Sequence, residues 1–176
     1  MLKNKNGDWV EILEIKDELW KKIMEGTLQG VLELLESAEI LLDNGGNEAI
    51  CAGLYTYAME EYGKFLLVQQ SSRVAGKVKI KYRKGFRNHP EKFRLAIENL
   101  PNECTNLGEF GFEKGFEQGF ERGEVILNLE ARMAVFYCDF TDSGDGIKSA
   151  PPVNKTMLKN AINKLRMIVL GINVNT

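Results

Sequence analysis

The stretch that most restricts this chain is "EAICAGLYTYAMEEYGKFLLVQQSSR", residues 48–73. Its apolar residues cover much of a helical circumference, so no broad face is left for water. Such a helix has to be surrounded, which predicts the central helix of a bundle. Asn47 marks its start, because an asparagine side chain can accept from the first orphan backbone N–H groups. The "NGG" of residues 44–46 separates it from a preceding helix, with glycine suited to a C-terminal cap. That preceding helix begins near Asp17. It carries Leu28, Leu32, Leu35, Ala38 and Leu42 at spacings of three and four, a single apolar stripe.

Further helical patterns follow. "NHPEKF" opens a short one, with Asn88 or His89 as cap, Pro90 in the first turn and Glu91 near the positive end of the dipole. "ENLPNECTNLGE" is a break. In "GFEKGFEQGFERG", residues 111–123, phenylalanines and glycines each recur every four residues. This places an aromatic ridge beside a glycine groove on a helix, each glycine costing about 1 kcal/mol relative to alanine. The helix is expected to continue through "EVILNLEARMAVFYCDF" to about Phe140. The clearest loop is "TDSGDGIKSAPPVN", residues 141–154. A last helix, with Leu158, Ile162, Leu165 and Val169 on one face, ends near Gly171. Between the central helix and His89, "GKVKIKYRKGF" alternates basic and apolar residues, which fits either a strand or a mobile loop. The expected fold is all-α, an antiparallel bundle of four to five helices with no convincing sheet. It forms one domain over residues 1–176, with its core roughly 17–171 and a basic loop at 74–88.

Charge is unevenly spread. From Arg73 to Arg94 there are nine cations and one anion, Glu91, so that segment is +8 in a chain of net charge −2 and the remainder is −10. Segregation of this kind predicts a local anion-binding surface on an acidic body. Cys51, Cys104 and Cys138 are odd in number and form no CxxC pair, which argues against a zinc site or disulfide framework and for a reduced, cytoplasmic setting. The N-terminus lacks the apolar run of a signal peptide. No stretch reaches about 18 apolar residues, so no membrane span is expected.

Three polar constellations stand out. The only histidine, His89, sits beside Arg83, Lys84 and Arg87 at a predicted helix start. The dipole and the neighbouring cations favour the neutral imidazole, which can act as a general base. Arg83 and Arg87 are spaced to hold a phosphate and stabilise charge developing on it. Arg83-x5-His89 thus contains the parts for metal-independent RNA cleavage, in which a 2'-hydroxyl attacks the adjacent phosphate. It equally fits a capping histidine with solvent-facing arginines. In "MEEYGK", Glu60 and Lys64 lie one turn apart, and at least one of Glu60 and Glu61 must approach the buried side. A buried carboxylate needs a partner, for which Lys64, Arg132 or a residue of the basic loop is available. "EARMAVFYCDF" contributes Arg132, Tyr137 and Asp139. A di-iron centre is disfavoured because its Glu-x-x-His pairs need more than one histidine. A Ser-His-Asp site has no GxSxG support.

Taken in order, "LYTYAMEEYGKFLLV", "NHPEKF" and "EARMAVFYCDF" resemble the AbiV family of abortive-infection proteins, within the HEPN superfamily. The family's Glu-Glu-x-Gly-Lys-like motif matches Glu60, Glu61, Gly63 and Lys64, and its His-x-x-Lys element matches His89 and Lys92. Its Arg…Tyr-x-Asp-Phe segment and proline-containing loop match Arg132, Tyr137, Asp139, Phe140 and Pro151. The resemblance covers roughly residues 25–170. It implies a HEPN-like helical bundle, usually a homodimer, acting in bacterial defence against phage. HEPN ribonucleases pair Arg-x4-6-His motifs across a dimer, usually from a late helix. Here that position is Arg132-x4-Tyr137, and the literal Arg-x5-His lies earlier.

The expected reading is an antiphage effector that cleaves RNA or blocks translation when activated, needing no cofactor or metal. His89 would transfer protons, Arg83, Arg87 and Arg132 would meet phosphate, and Glu61 and Lys64 would orient the site. Lys77, Lys79, Lys81, Lys84 and Lys92 would contact RNA. Expected partners are a second copy of the chain, RNA or the ribosome, and a phage-encoded activator protein. The alternative is a non-catalytic module that binds RNA, the ribosome or a phage protein through residues 73–94.

Overall fold

The computed structural model describes residues 2–3, 9–10, 12–74, 77–81, 89–105, 139–140, 147–148, 154–172 and 174. Among them a helical bundle dominates. Helix α1 spans Asp17–Asp43 and α2 spans Glu48–Gln69. Helix α3 spans His89–Asn99, the single turn α4 Asn102–Thr105, and α5 Lys155–Leu170. The all-α bundle expected from the sequence is what the structure has.

The α1–α2 turn shows why the helices end where they do. Gly45 takes φ 73°, the left-handed region that glycine enters without steric cost. Its N–H reaches the carbonyl of Leu42, and the N–H of Gly46 reaches that of Leu41 at 2.7 Å. Two of the four orphan carbonyls of α1 are thereby satisfied. Asn47 then accepts from the backbone N–H groups of Ala49 and Ile50 and starts α2. Asn154 does the same for α5 through the N–H of Met157.

Helix α2 lies at the centre, as its encircling apolar residues require. Cys51, Tyr55, Ala58, Met59, Phe65 and Val68 are all but inaccessible to solvent. Helix α1 runs antiparallel to α2, and the Trp20 indole N–H near its start donates to the carbonyl of Val68 near the end of α2 at 2.9 Å. Helix α5 lays Leu158, Ile162, Leu165 and Val169 into the same core. It is held to α1 at the surface by Lys159–Asp43 and Arg166–Glu39. Helices α3 and α4 run back along α2, and the Tyr55 hydroxyl donates to the carbonyl of Cys104 at 2.8 Å. Cys51 and Cys104 are free and buried, and burial pushes the Cys104 thiol up to about 11. A thiol held in that form is a packing group rather than a nucleophile.

The bundle also carries an element outside the all-helical expectation. Strands β3 (Ile12–Lys16), β4 (Ser72–Val74) and β5 (Lys77–Lys81) form an antiparallel sheet in the order β3-β5-β4. The alternating "KVKIK" is therefore its central strand. Ile12 pairs with Lys81 and Lys16 with Lys77, a register joining residues far apart in sequence. Two-residue pairs complete the described strands: β1 (Leu2–Lys3) with β2 (Trp9–Val10), and β6 (Asp139–Phe140) with β7 (Ile147–Lys148). Asp139 and Phe140 are thus extended, not the last turn of a helix. Ile147 and Lys148, expected in a loop, are their partners. The phenylalanine–glycine repeat of residues 111–123 lies outside the described residues. No helix among the described residues is long and apolar enough to cross a membrane.

Candidate functional site

Glu60 is 5% exposed and Lys92 is 4% exposed, and they are the buried ionisable side chains among the described residues outside the tyrosines and cysteines. They have opposite sign and face each other. Glu60 projects from the middle of α2, and Lys92 from the first turn of α3. The Lys92 ammonium stands 3.9 Å from Glu60 Oε2, an ion-pair distance rather than a hydrogen bond. The same carboxylate oxygen lies 2.6 Å from His89 Nδ1. His89 begins α3, and its side chain is 48% exposed. The three groups form a polar line from the bundle interior to the surface.

Gly63 makes this line possible. A Cβ placed there would lie 1.7 Å from the backbone oxygen of Lys92 and 2.5 Å from its carbonyl carbon. Only a residue without a side chain lets α3 approach α2 so closely. Gly63 is one turn beyond Glu60, so the contact sets both the height and the depth of the α3 N-terminus relative to the carboxylate. Phe93 and Ala96 pack into the core beneath and fix α3 in rotation.

The chemistry follows from what each atom can donate. A carboxylate only accepts, so the short contact is made by His89 Nδ1–H donating to Glu60. With Nδ1 committed, proton exchange with a substrate falls to Nε2. Lys92 places a positive charge on the far side of the carboxylate. An ion pair taken out of water costs several kcal/mol per charge before mutual attraction offsets it. Burying a glutamate here is therefore a poor way to gain stability and a good way to hold an imidazole in one orientation.

Glu61 is paired with Lys64 at 3.0 Å, one turn apart on α2, with both side chains about 30% exposed. The carboxylate against His89 is Glu60, with Lys92 beside it, and not Glu61 with Lys64. Lys92, expected to contact RNA, has its ammonium buried against Glu60. Arg83, Lys84, Arg87 and Arg132 lie outside the described residues. Lys77, Lys79 and Lys81 fall on β5. Among the described residues no group of three or more histidine, cysteine, aspartate or glutamate side chains is placed to hold a metal ion.

Comparison with known proteins adds one finding. A family model described as AbiV, of the HEPN group, matches residues 19–168. That span runs from the start of α1 almost to the end of α5 and takes in Glu60, His89 and Lys92. No curated protein and no solved structure matches.

Proposed function

The chain belongs to the AbiV family of HEPN proteins, and from that premise we propose that it is an abortive-infection effector that cleaves RNA, with His89 as its proton-transfer group. The observation that carries this reading is the 2.6 Å contact between a buried glutamate and the chain's only histidine. His89 Nε2 takes the proton of a ribose 2'-hydroxyl as that oxygen attacks the adjacent phosphorus. The bond from phosphorus to the 5'-oxygen breaks, leaving a 2',3'-cyclic phosphate and a 5'-hydroxyl that receives a proton. As the imidazole gains its proton it becomes a cation beside the Glu60 carboxylate, which stabilises the charge where it develops. Arg83 and Arg87, within six residues of His89 in sequence, supply positive charge for the phosphate. Arg132 takes the same role from the later motif. The effector acts as a homodimer in the cytoplasm, and a phage-encoded protein triggers it.

Induced expression with and without phage, followed by sequencing of RNA ends, tests this. Wild type should arrest growth and leave new 5'-hydroxyl ends. His89→Ala should lose both while retaining its far-UV circular dichroism. Glu60→Gln, which keeps size and a hydrogen-bond acceptor but removes the charge, should cut the number of new ends by up to the factor of about 10²–10⁴ that the proton-transfer group itself contributes. Identical RNA ends in wild type and His89→Ala would remove His89 from the reaction and pass the activity to the basic segment as a binding surface.

A further inference from the structure

The three-stranded sheet has two unlike faces, and its register says which residues share each. Ile15 of β3 is buried in the core, whereas its neighbours Glu14 and Lys16 are exposed. Successive strand residues alternate between faces, and residues directly opposite across an antiparallel ladder share one. Ile15 pairs with Val78, which assigns positions 78 and 80 to the core face. Glu14 pairs with Lys79, Lys16 with Lys77, and Ile12 with Lys81. The outward face therefore gathers four lysine positions, 16, 77, 79 and 81, around the single carboxylate of Glu14. On the other side of β5, the same face is completed by Ser72 and Val74, opposite Lys79 and Lys77.

This face is cationic on a chain whose net charge is −2. The lysine positions of β5 recur every second residue, about 6.8 Å apart. That is close to the step between successive phosphates along an extended nucleic-acid strand. The sheet also leads to the site. Helix α2 ends about 14 Å along its axis from Glu60, and strand β4 starts three residues later. Strand β5 ends eight residues before His89.

We propose that the outward face of this sheet, with Lys16, Lys77, Lys79 and Lys81 in register, binds the phosphate backbone of single-stranded RNA and leads it toward His89. The proposal rests on the ribonuclease reading for the identity of its ligand. It adds Lys16, from a strand more than sixty residues away in sequence, to the RNA-contacting lysines, and it gives Glu14 an opposing role. A carboxylate amid phosphate-binding lysines repels the strand and keeps binding reversible. Contacts of this kind carry no base preference, so the surface accepts RNA irrespective of sequence.

The test uses full-length protein carrying His89→Ala, so that RNA is bound without being consumed. Its affinity for a fluorescently labelled, short single-stranded RNA is followed by anisotropy between about 50 and 200 mM salt. Replacing Lys16 and Lys79 together by glutamine should weaken binding on the order of tenfold at the low-salt end. It should also make the log–log salt slope shallower by about 1.4, or two phosphate contacts at about 0.7 each. Glu14→Gln should tighten binding, a gain that unfolding cannot produce. An unchanged affinity and slope in the double variant, or no gain from Glu14→Gln, would overturn the proposal. So would preferential capture of polyglutamate, the outcome expected of a surface for acidic proteins. The two readings separate cleanly. Weakened binding in the lysine variant combined with His89-independent RNA ends keeps the platform and discards His89 catalysis. The reverse pattern discards the platform and keeps His89.

Discussion

Two interfaces in this bundle are bridged by charge, and they differ in where water is. At the α2–α3 interface the Glu60 and Lys92 side chains are 6% and 5% exposed and end on His89. At the α1–α5 interface, Asp43 and Lys159 meet at 2.7 Å with side chains about half exposed, and Glu39 and Arg166 meet at 2.8 Å with each 26% exposed. The surface pairs are the shorter ones, yet distance does not rank their importance. Exposed pairs gain little because water already solvates both partners. Buried pairs forfeit that solvation, so removing one partner strands the other. The contrast predicts that removing one partner of the longer, buried contact costs more stability and more activity than removing one partner of either surface pair.

The strongest way to break this comparison is Lys92→Met. It should leave Glu60 uncompensated and lower unfolding free energy by about 3–5 kcal/mol in urea denaturation. Pairing it with Glu60→Leu should restore most of that loss, since two apolar side chains of similar volume can replace a buried ion pair. The double variant should still fail to arrest growth. A double variant that regained activity with stability would mean that the charges are structural only.

Gly63→Ala comes next. Its added carbon meets backbone that cannot rotate away, so the cost should reach about 3 kcal/mol, the upper end of ordinary overpacking. Gly26→Ala on α1 provides the contrast, because nothing lies within 4 Å of its Cβ position. That change should stabilise by roughly 0.5–1 kcal/mol through helix propensity alone. Thermal unfolding of the two variants should therefore move in opposite directions. At the surface, Arg166→Gln should cost no more than about 1 kcal/mol in the same assay.

The parts of this arrangement differ in how far the sequence reveals them, for physical reasons. The α1 stripe, the glycine turn after Asp43, the Asn47 cap and the α5 stripe are local patterns, and each forms where the spacing puts it. Strand β5 shows in its alternation, but its partner β3 does not, because pairing across more than sixty residues leaves no local periodic trace. The identity of the buried carboxylate is hidden for another reason. Helix α2 is apolar nearly all round, so position on the helix does not say whether Glu60 or Glu61 turns inward. Gly63 is the usable signal. A glycine inside a strongly apolar helix marks a close backbone approach, and the residue one turn before it, Glu60, lies on the same face.

The smallest expected effect gives the comparison its sharpest control. The Lys159 ammonium donates to Asp43 and holds that carboxyl below its ordinary 3.8, while Asp43 raises Lys159 above its ordinary 10.5. A depressed carboxyl contributes stability that is present above its unfolded value and lost as pH falls through the folded one. A raised ammonium contributes stability that is present below its unfolded value and lost as pH rises through the folded one. Between about pH 5 and 9 neither group titrates, so the pair's contribution is flat across that window. Both side chains are about half exposed, so solvent screening keeps that contribution slight. Asp43→Asn should therefore shift the thermal unfolding midpoint by the same barely measurable amount at pH 5, 7 and 9, and any difference should appear only below about pH 4 or above about pH 10. It should leave growth arrest and RNA binding unchanged, because α5 stays docked through its apolar face. A marked destabilisation at pH 7 would show that exposed charge bridges α1 and α5 as firmly as buried charge bridges α2 and α3, and the distinction drawn between the two interfaces would fail.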